Sequence, residues 1–414
     1  MDFVLPRVYK FIKRNRRWVK PLKALWLFFP KLKTGLLLLL GQKNAFTLPV
    51  KSYTESQTWY HQAENKQNFQ LNLKYIHPPQ AIQRGAVDTL NGELYWKFKD
   101  KQQRQIRENI VMTIPQGRVI DDGFVVSPDA TLLTDFSIIP DTQIIDHPLL
   151  SSRKLIPPKY IRGKSAVLAA HGGRGYYHWM FEVLPRLELI RQAGIEWTQI
   201  DKFIVNSCIT QFQIDSLKTL GIPRSKIVEC HWHPHIISDC LIVPSIPDYV
   251  SPWVCDFLRS NFLKNPIPAK PEKRLYISRS RAAHRRVVNE EEVVEVLKKY
   301  FFQCVYLEEY SVEAQAKLMS QAELIVAPHG AGLTNLVFCA PGATLIELIY
   351  PLSVKKLFWS ISSLMQLNYY YLFAQGNPPP EGEESYLNSD DMLIDVEKLE
   401  RLLNKIPVAL DVTT

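Results

Sequence analysis

From about residue 165 the sequence alternates short apolar runs with stretches of helical periodicity, and it does so in two successive blocks. In the first block an apolar run at 165–170 leads through a glycine turn into helical spacing up to about Ala193. A strand is expected at 203–206 and a helix at 211–220 stopped by Gly221 and Pro223, with further strands at 227–230 and 241–243. Pro266, Pro268 and Pro271 among lysines mark a linker. The second block predicts strands at 274–278, 302–307, 323–327 and 344–348, and helices at 289–300, 312–320 and 333–339. Two βα-alternating blocks predict an α/β protein with two parallel-sheet domains facing across a cleft, a layout that suits an enzyme with two substrates.

At 414 residues, more than one core is expected. The expected domains are 44–265, whose part up to about 150 reads as strands and turns, and 266–414. A basic, apolar segment at 1–43 precedes them. The net charge of +9 is concentrated there: before Glu55 the one acidic residue is Asp2, against twelve Lys and Arg. The remainder is close to neutral and carries no basic stripe, which argues against nucleic acid as a partner. Pro30, Lys31 and Lys33 interrupt the apolar runs at 24–29 and 36–40, so a membrane-spanning helix is not expected. Basic residues beside Trp, Phe and Leu suit an anionic membrane surface through residues 7–43, or else a helix packed on its own protein. The six cysteines form no C-x-x-C pair and mostly sit in apolar surroundings. They read as buried free thiols, while their even count also permits three disulfides in a secreted protein; with no signal sequence evident the expected setting is cytoplasmic.

The segment His329-Gly330-Ala331-Gly332-Leu333-Thr334-Asn335 lies between a predicted buried strand and a predicted helix. Glycines there let backbone N–H groups approach a phosphate, and a helix start favours an anion. Asn335 stands where a dinucleotide fingerprint needs its third glycine, and no G-K-[ST] occurs in the chain. Glu347, on the next strand, can accept hydrogen bonds from ribose hydroxyls or pair with a lysine. Arg279 follows the strand at 274–278 and can bind phosphate bidentately; Arg281, Arg285 and Arg286 close behind it read as solvated.

In the first block, His171-Gly172-Gly173 opens a turn, and His178, Glu182 and Arg186 follow at i, i+4, i+8 on one predicted helix face. His178 or Glu182 can act as a general base, with Arg186 orienting Glu182; a helix-face salt bridge beside a satisfied histidine explains the same spacing. The His171 turn also suits a hydrolase oxyanion hole, but no G-x-S-x-G elbow accompanies it. His231, His233 and His235 can bind zinc, although no fourth ligand is evident nearby, so a loop without metal is expected.

The segments 178–186 (HWMFEVLPR), 275–279 (LYISR) and 328–335 (PHGAGLTN), with Glu347 after them, together resemble glycosyltransferase family 61, over about residues 165–350. The resemblance implies a GT-B-like fold of two Rossmann-like domains, and inverting transfer from a nucleotide-diphosphate sugar. It implies that Arg279 and the 329–335 turn face the donor, and that His178 and Glu182 lie near the acceptor. His171, Gly173 and Arg186 are expected to bind the acceptor as well. No D-x-D triplet occurs, so a metal is not expected to be required, and no other cofactor is implied. A bacterial enzyme at the inner face of the plasma membrane is expected, extending a capsular or exopolysaccharide repeat on an oligosaccharide or lipid-linked acceptor. The competing expectation is a non-catalytic sugar-nucleotide-binding or polysaccharide-assembly protein on a degenerate transferase fold.

Overall fold

A computed structural model describes residues 49, 51–53, 55–65, 71–99, 103–138, 155–248, 250–383 and 390–407. The basic segment 1–43 lies outside the described residues. Among those described, no helix is long and apolar enough to cross a membrane.

The strands in chain order are β1 (Lys51–Tyr53), β2 (Asn72–His77), β3 (Gln80–Ile82), β4 (Arg104–Ile106), β5 (Asn109–Pro115) and β6 (Arg118–Ile120). They continue with β7 (Phe124–Val126), β8 (Thr131–Leu133), β9 (Lys159–Val167), β10 (Lys202–Val205), β11 (Ile227–Glu229) and β12 (His235–Pro244). The second block supplies β13 (Lys273–Ile277), β14 (Gln303–Val305), β15 (Ala322–Pro328), β16 (Thr344–Ile349) and β17 (Asn368–Phe373).

The first sheet has a parallel centre in the order β11-β10-β9-β12. The strand-rich segment before it is no separate layer: β5 and β6 both run antiparallel along the free edge of β12 and carry β2, β7, β8 and β1 outward. The second sheet is wholly parallel in the order β14-β13-β15-β16-β17. Its central strands are buried along their length, as continuous apolar runs such as Leu324-Ile325-Val326-Ala327 require when helices cover both faces. The alternating α/β pattern with parallel sheets is therefore present.

Two features differ from the pattern read off the sequence. Residues 84–99, early in the chain, pack on the second sheet instead of the first: Asp88 bridges to Tyr370, Phe98 stacks on Tyr371 at 4.4 Å between centroids, and Trp359 Nε1 donates to the Gly85 carbonyl. Aromatic side chains in that stretch find their apolar partners on β17 and on the helix Leu357–Leu364, which no local pattern announces. In addition, one apolar cluster runs from Trp179, Leu187 and Phe203 through Val254 and Leu258 on the helix Pro252–Phe262 to Leu275, Ile325 and Leu336. The two halves share a core where they meet.

Candidate functional site

In an open parallel sheet, ligands gather where the chain order reverses, because the helices that follow the two flanking strands leave in opposite directions and open a crevice. In the second sheet that point lies between β13, which is followed by β14 on one side, and β15 on the other. Arg279 stands two residues past the end of β13, and His329 and Gly330 immediately follow β15. Sequence order and sheet order together therefore bring these residues into one corner.

The contact between them is intimate. A Cβ built on Gly330 would lie 2.0 Å from Arg279 Nη1, so the guanidinium occupies the space that any other side chain at 330 would fill. Gly330 has extended backbone dihedrals (φ 176°), so its lack of a side chain serves this approach and not a turn. Arg279 Nη2 donates to the His284 carbonyl at 3.0 Å, while its buried Nε has no partner. Burial first, then the neighbouring charge of Arg285, pull its pKa down to about 10, with Glu308 acting in the opposite direction.

His329 and Glu347 are both buried, at 6% and 0% exposure. His329 Nδ1 meets Glu347 Oε1, and the Tyr369 hydroxyl donates to Glu347 Oε2 at 2.6 Å. Both oxygens of Glu347 are thus occupied, which corrects the expectation that it meets a ribose or a lysine: it holds the His329 ring, which packs at 4.9 Å from Phe358. Residues Ala331–Phe338 form a 3₁₀ helix where an ordinary helix over 333–339 was expected. Leu333, Thr334 and Asn335 point into the core (1%, 0% and 0% exposed), so of the turn expected to face a donor, Ala331 and Gly332 are its accessible part.

Asn335 has a different job. Its Oδ1 accepts from the Tyr176 hydroxyl at 2.8 Å, and its Nδ2 donates to Gln315 Oε1 at 2.7 Å and the Gly332 carbonyl at 3.2 Å. Tyr176 opens the helical segment that carries His178, so one hydrogen bond links the two halves at the site. The sequence reading passed over Tyr176; its nearness to His178 in the chain was the available signal.

On the other side, His178 and Glu182 come together as expected, with Nδ1 2.9 Å from Oε2. The His178 ring lies across Gly172, where a Cβ would come within 2.9 Å of its Cδ2 and where φ is +77°. Burial opposes a charge on the ring, but the hydrogen bond the ring donates to Glu182 and the negative charge of that carboxylate outweigh this, and the His178 pKa ends above its ordinary 6.5.

Arg186 does not join them. Trp179–Val183 form a π-helical turn, with Leu184 N donating to the Trp179 carbonyl, because Pro185 has no N–H to continue an α ladder. The wider turn rotates everything beyond it relative to a regular helix. Arg186 therefore points inward, fully buried, and donates to the carbonyls of Ala169 and Pro244. These carbonyls lie past the end of β9 and at the end of β12, so Arg186 plugs the reversal point of the first sheet. This corrects both the shared face and the expected acceptor contact.

Gly173 is likewise a packing position, since a Cβ there would meet Asn206 Oδ1 at 2.1 Å. His171 is part-exposed beside Phe124 and keeps a buried Nδ1 without a partner. The three histidines beyond β11 point to separate neighbours: His233 Nε2 to Lys159 Nζ, His235 Nδ1 to the Ile156 carbonyl, and His231 to the ring of Trp232.

Residues 176–346 match the family described as Glycosyltransferase 61. That span opens at Tyr176 and encloses His178, Glu182, Arg279, His329 and Gly330. The chain is also similar to protein O-linked-mannose beta-1,4-N-acetylglucosaminyltransferase 2 of Takifugu rubripes, at 35% identity over 89 residues. The similarity covers 21% of this chain and 15% of that protein's length. The matched span, with the dyad at one end and the arginine–glycine corner near the other, is the part of this chain that is similar to the glycosyltransferase 61 family.

Proposed function

We propose that this protein transfers a glycosyl group, with inversion, from a nucleoside-diphosphate sugar to a hydroxyl of a saccharide acceptor. The observation that carries the reading is the Arg279 guanidinium lying over Gly330 at the reversal point of the second sheet, with no carboxylate partner among the described residues. In the displacement, the acceptor oxygen forms a bond to the anomeric carbon while the bond to the diphosphate oxygen breaks. The acceptor proton passes to His178 Nε2, and the diphosphate leaves with the electron pair toward Arg279. His178 is the base because Nδ1 is committed to Glu182, which fixes the ring and raises its basicity; Glu182 is its positioning residue. Charge on the leaving group is met by guanidinium and backbone N–H groups, so turnover is expected to persist in a chelator.

The finer reading is an enzyme at the inner face of the plasma membrane, held there by residues 7–43. It extends a capsular or exopolysaccharide repeat on an oligosaccharide or lipid-linked acceptor. The basic, apolar composition of that segment supports it.

The test is release of nucleoside diphosphate from a panel of UDP-, GDP- and TDP-sugars, with and without EDTA. Release with one of them, lost in both Arg279→Ala and His178→Ala, is expected. Undiminished release in Arg279→Ala would overturn the donor-site assignment.

A further inference from the structure

The loop after β13 carries four arginines, and the structure divides them into two pairs. Arg281 and Arg286 face outward, and each has its own carboxylate: Arg281 pairs with Glu309, and Arg286 reaches Asp391 through Nε at 3.0 Å and Nη2 at 2.7 Å. Arg279 and Arg285 are half-buried, and each keeps a buried Nε with no hydrogen-bond partner. Among the described residues neither has a carboxylate within ion-pair distance.

The loop holds them together. Arg279 Nη2 donates to the His284 carbonyl, and Arg285 takes a left-handed backbone (φ +58°), after which Val287 bridges to Met392. The charge of Arg285 acts on Arg279, and Arg285 itself feels Glu347, whose oxygens are already given to His329 and Tyr369. Two half-buried guanidiniums of one loop, each with a buried Nε left unpaired and one pinned to the carbonyl just before the other, form an arrangement that a ligand with two negative charges satisfies. A ligand with one does so half as well. The left-handed residue strengthens the point, because a strained position is held by its surroundings and Arg gains nothing from it sterically.

We propose that Arg285 is a second anion-binding residue, and that with Arg279 it clamps a diphosphate, so the site takes diphosphate-linked donors and discriminates against monophosphate-linked ones. This rests on reading the Arg279–Gly330 corner as the donor side and adds the group that sets the charge of the leaving group.

The experiment is titration calorimetry of the full chain with UDP, GDP, CDP and TDP, the matching monophosphates, inorganic pyrophosphate and orthophosphate. It is repeated for Arg285→Asn, a residue that tolerates a left-handed backbone, and for Arg285→Lys, which keeps the charge without the fork. The wild-type protein is expected to bind the best diphosphate roughly tenfold or more tightly than its monophosphate, and pyrophosphate more tightly than orthophosphate. Arg285→Asn is expected to bring both ratios close to one while changing monophosphate affinity little, and Arg285→Lys to recover part of the difference.

Equal loss for mono- and diphosphates, or unchanged ratios in Arg285→Asn, would overturn the clamp while leaving the transferase reading in place. Pyrophosphate binding that depends on Arg285, without turnover of any sugar nucleotide, would leave the clamp standing and remove the transferase. Binding of none of these ligands by the wild-type protein would end both.

Discussion

At Gly330 the side chain that is missing does the placing. Because the backbone is extended there, alanine strains nothing locally, yet its methyl would collide with Arg279 Nη1. Gly330→Ala is therefore expected to fold normally and to weaken nucleoside-diphosphate binding by about tenfold or more, the scale of a lost charge-assisted hydrogen bond. Combined with Arg279→Ala it should cost little beyond either change alone, since both remove the same contact. Additive losses in that double-mutant cycle would mean the two residues act separately. The His178–Glu182 pair makes a prediction about pH. A base must be neutral to accept a proton, and the folded His178 pKa lies above 6.5, so kcat/KM should fall as pH drops through that raised value. Glu182→Gln removes the partner that raises it and leaves burial unopposed, so the acid limb should move to lower pH and the plateau rate should drop. An acid limb that stays in place would remove Glu182 from this role.

At the scale of an element, the π-helical turn at Trp179–Val183 decides which residues can reach the site. An i, i+4, i+8 pattern predicted one polar stripe; the first two members hold it, and the third is turned into the core by the wider turn that Pro185 imposes. Arg186 then stitches β9 to β12 through the carbonyls of Ala169 and Pro244, with a guanidinium whose pKa burial draws down to about 9. Arg186→Ala would strand two buried carbonyls and open a cavity, so urea denaturation should show a loss of about 2–4 kcal/mol. Nucleotide affinity per folded molecule should be unchanged. An acceptor-binding arginine would show the opposite: normal stability and an elevated acceptor KM.

At the scale of the whole molecule, the two α/β halves are joined by a common apolar cluster, by residues 84–99 crossing from one to the other, and by the Tyr176–Asn335 hydrogen bond beside the site. Elements that share a core unfold together, so calorimetry should show one heat-absorption peak for the folded part of the chain. Two resolved transitions would show that the halves are energetically independent despite the contact. Tyr176→Phe leaves Asn335 Oδ1 without its donor and should loosen the link without removing either half.

The sequence by itself determined the two runs of strand and helix, the second parallel sheet, the glycine corner at 329–332, Arg279 beside it and the His178–Glu182 pair. Each is written in local spacing: buried strands as apolar runs, a turn as glycines, a pair as i, i+4. What only the tertiary structure decided follows from contacts between residues distant in the chain. Glu347 stands out in an apolar strand, but only the folding of β15 beside β16 shows that His329 and Tyr369 take both its oxygens. Arg285 looks like Arg281 and Arg286 in the sequence, and it is separated from them by which arginines find Glu309 and Asp391 across the fold. Local periodicity reports which face of an element is apolar; it carries no information on which distant carboxylate or ring will meet a polar group. That pairing is settled when the sheets assemble, and here it separates the arginines that pair with carboxylates from the two that each keep a buried Nε without a partner.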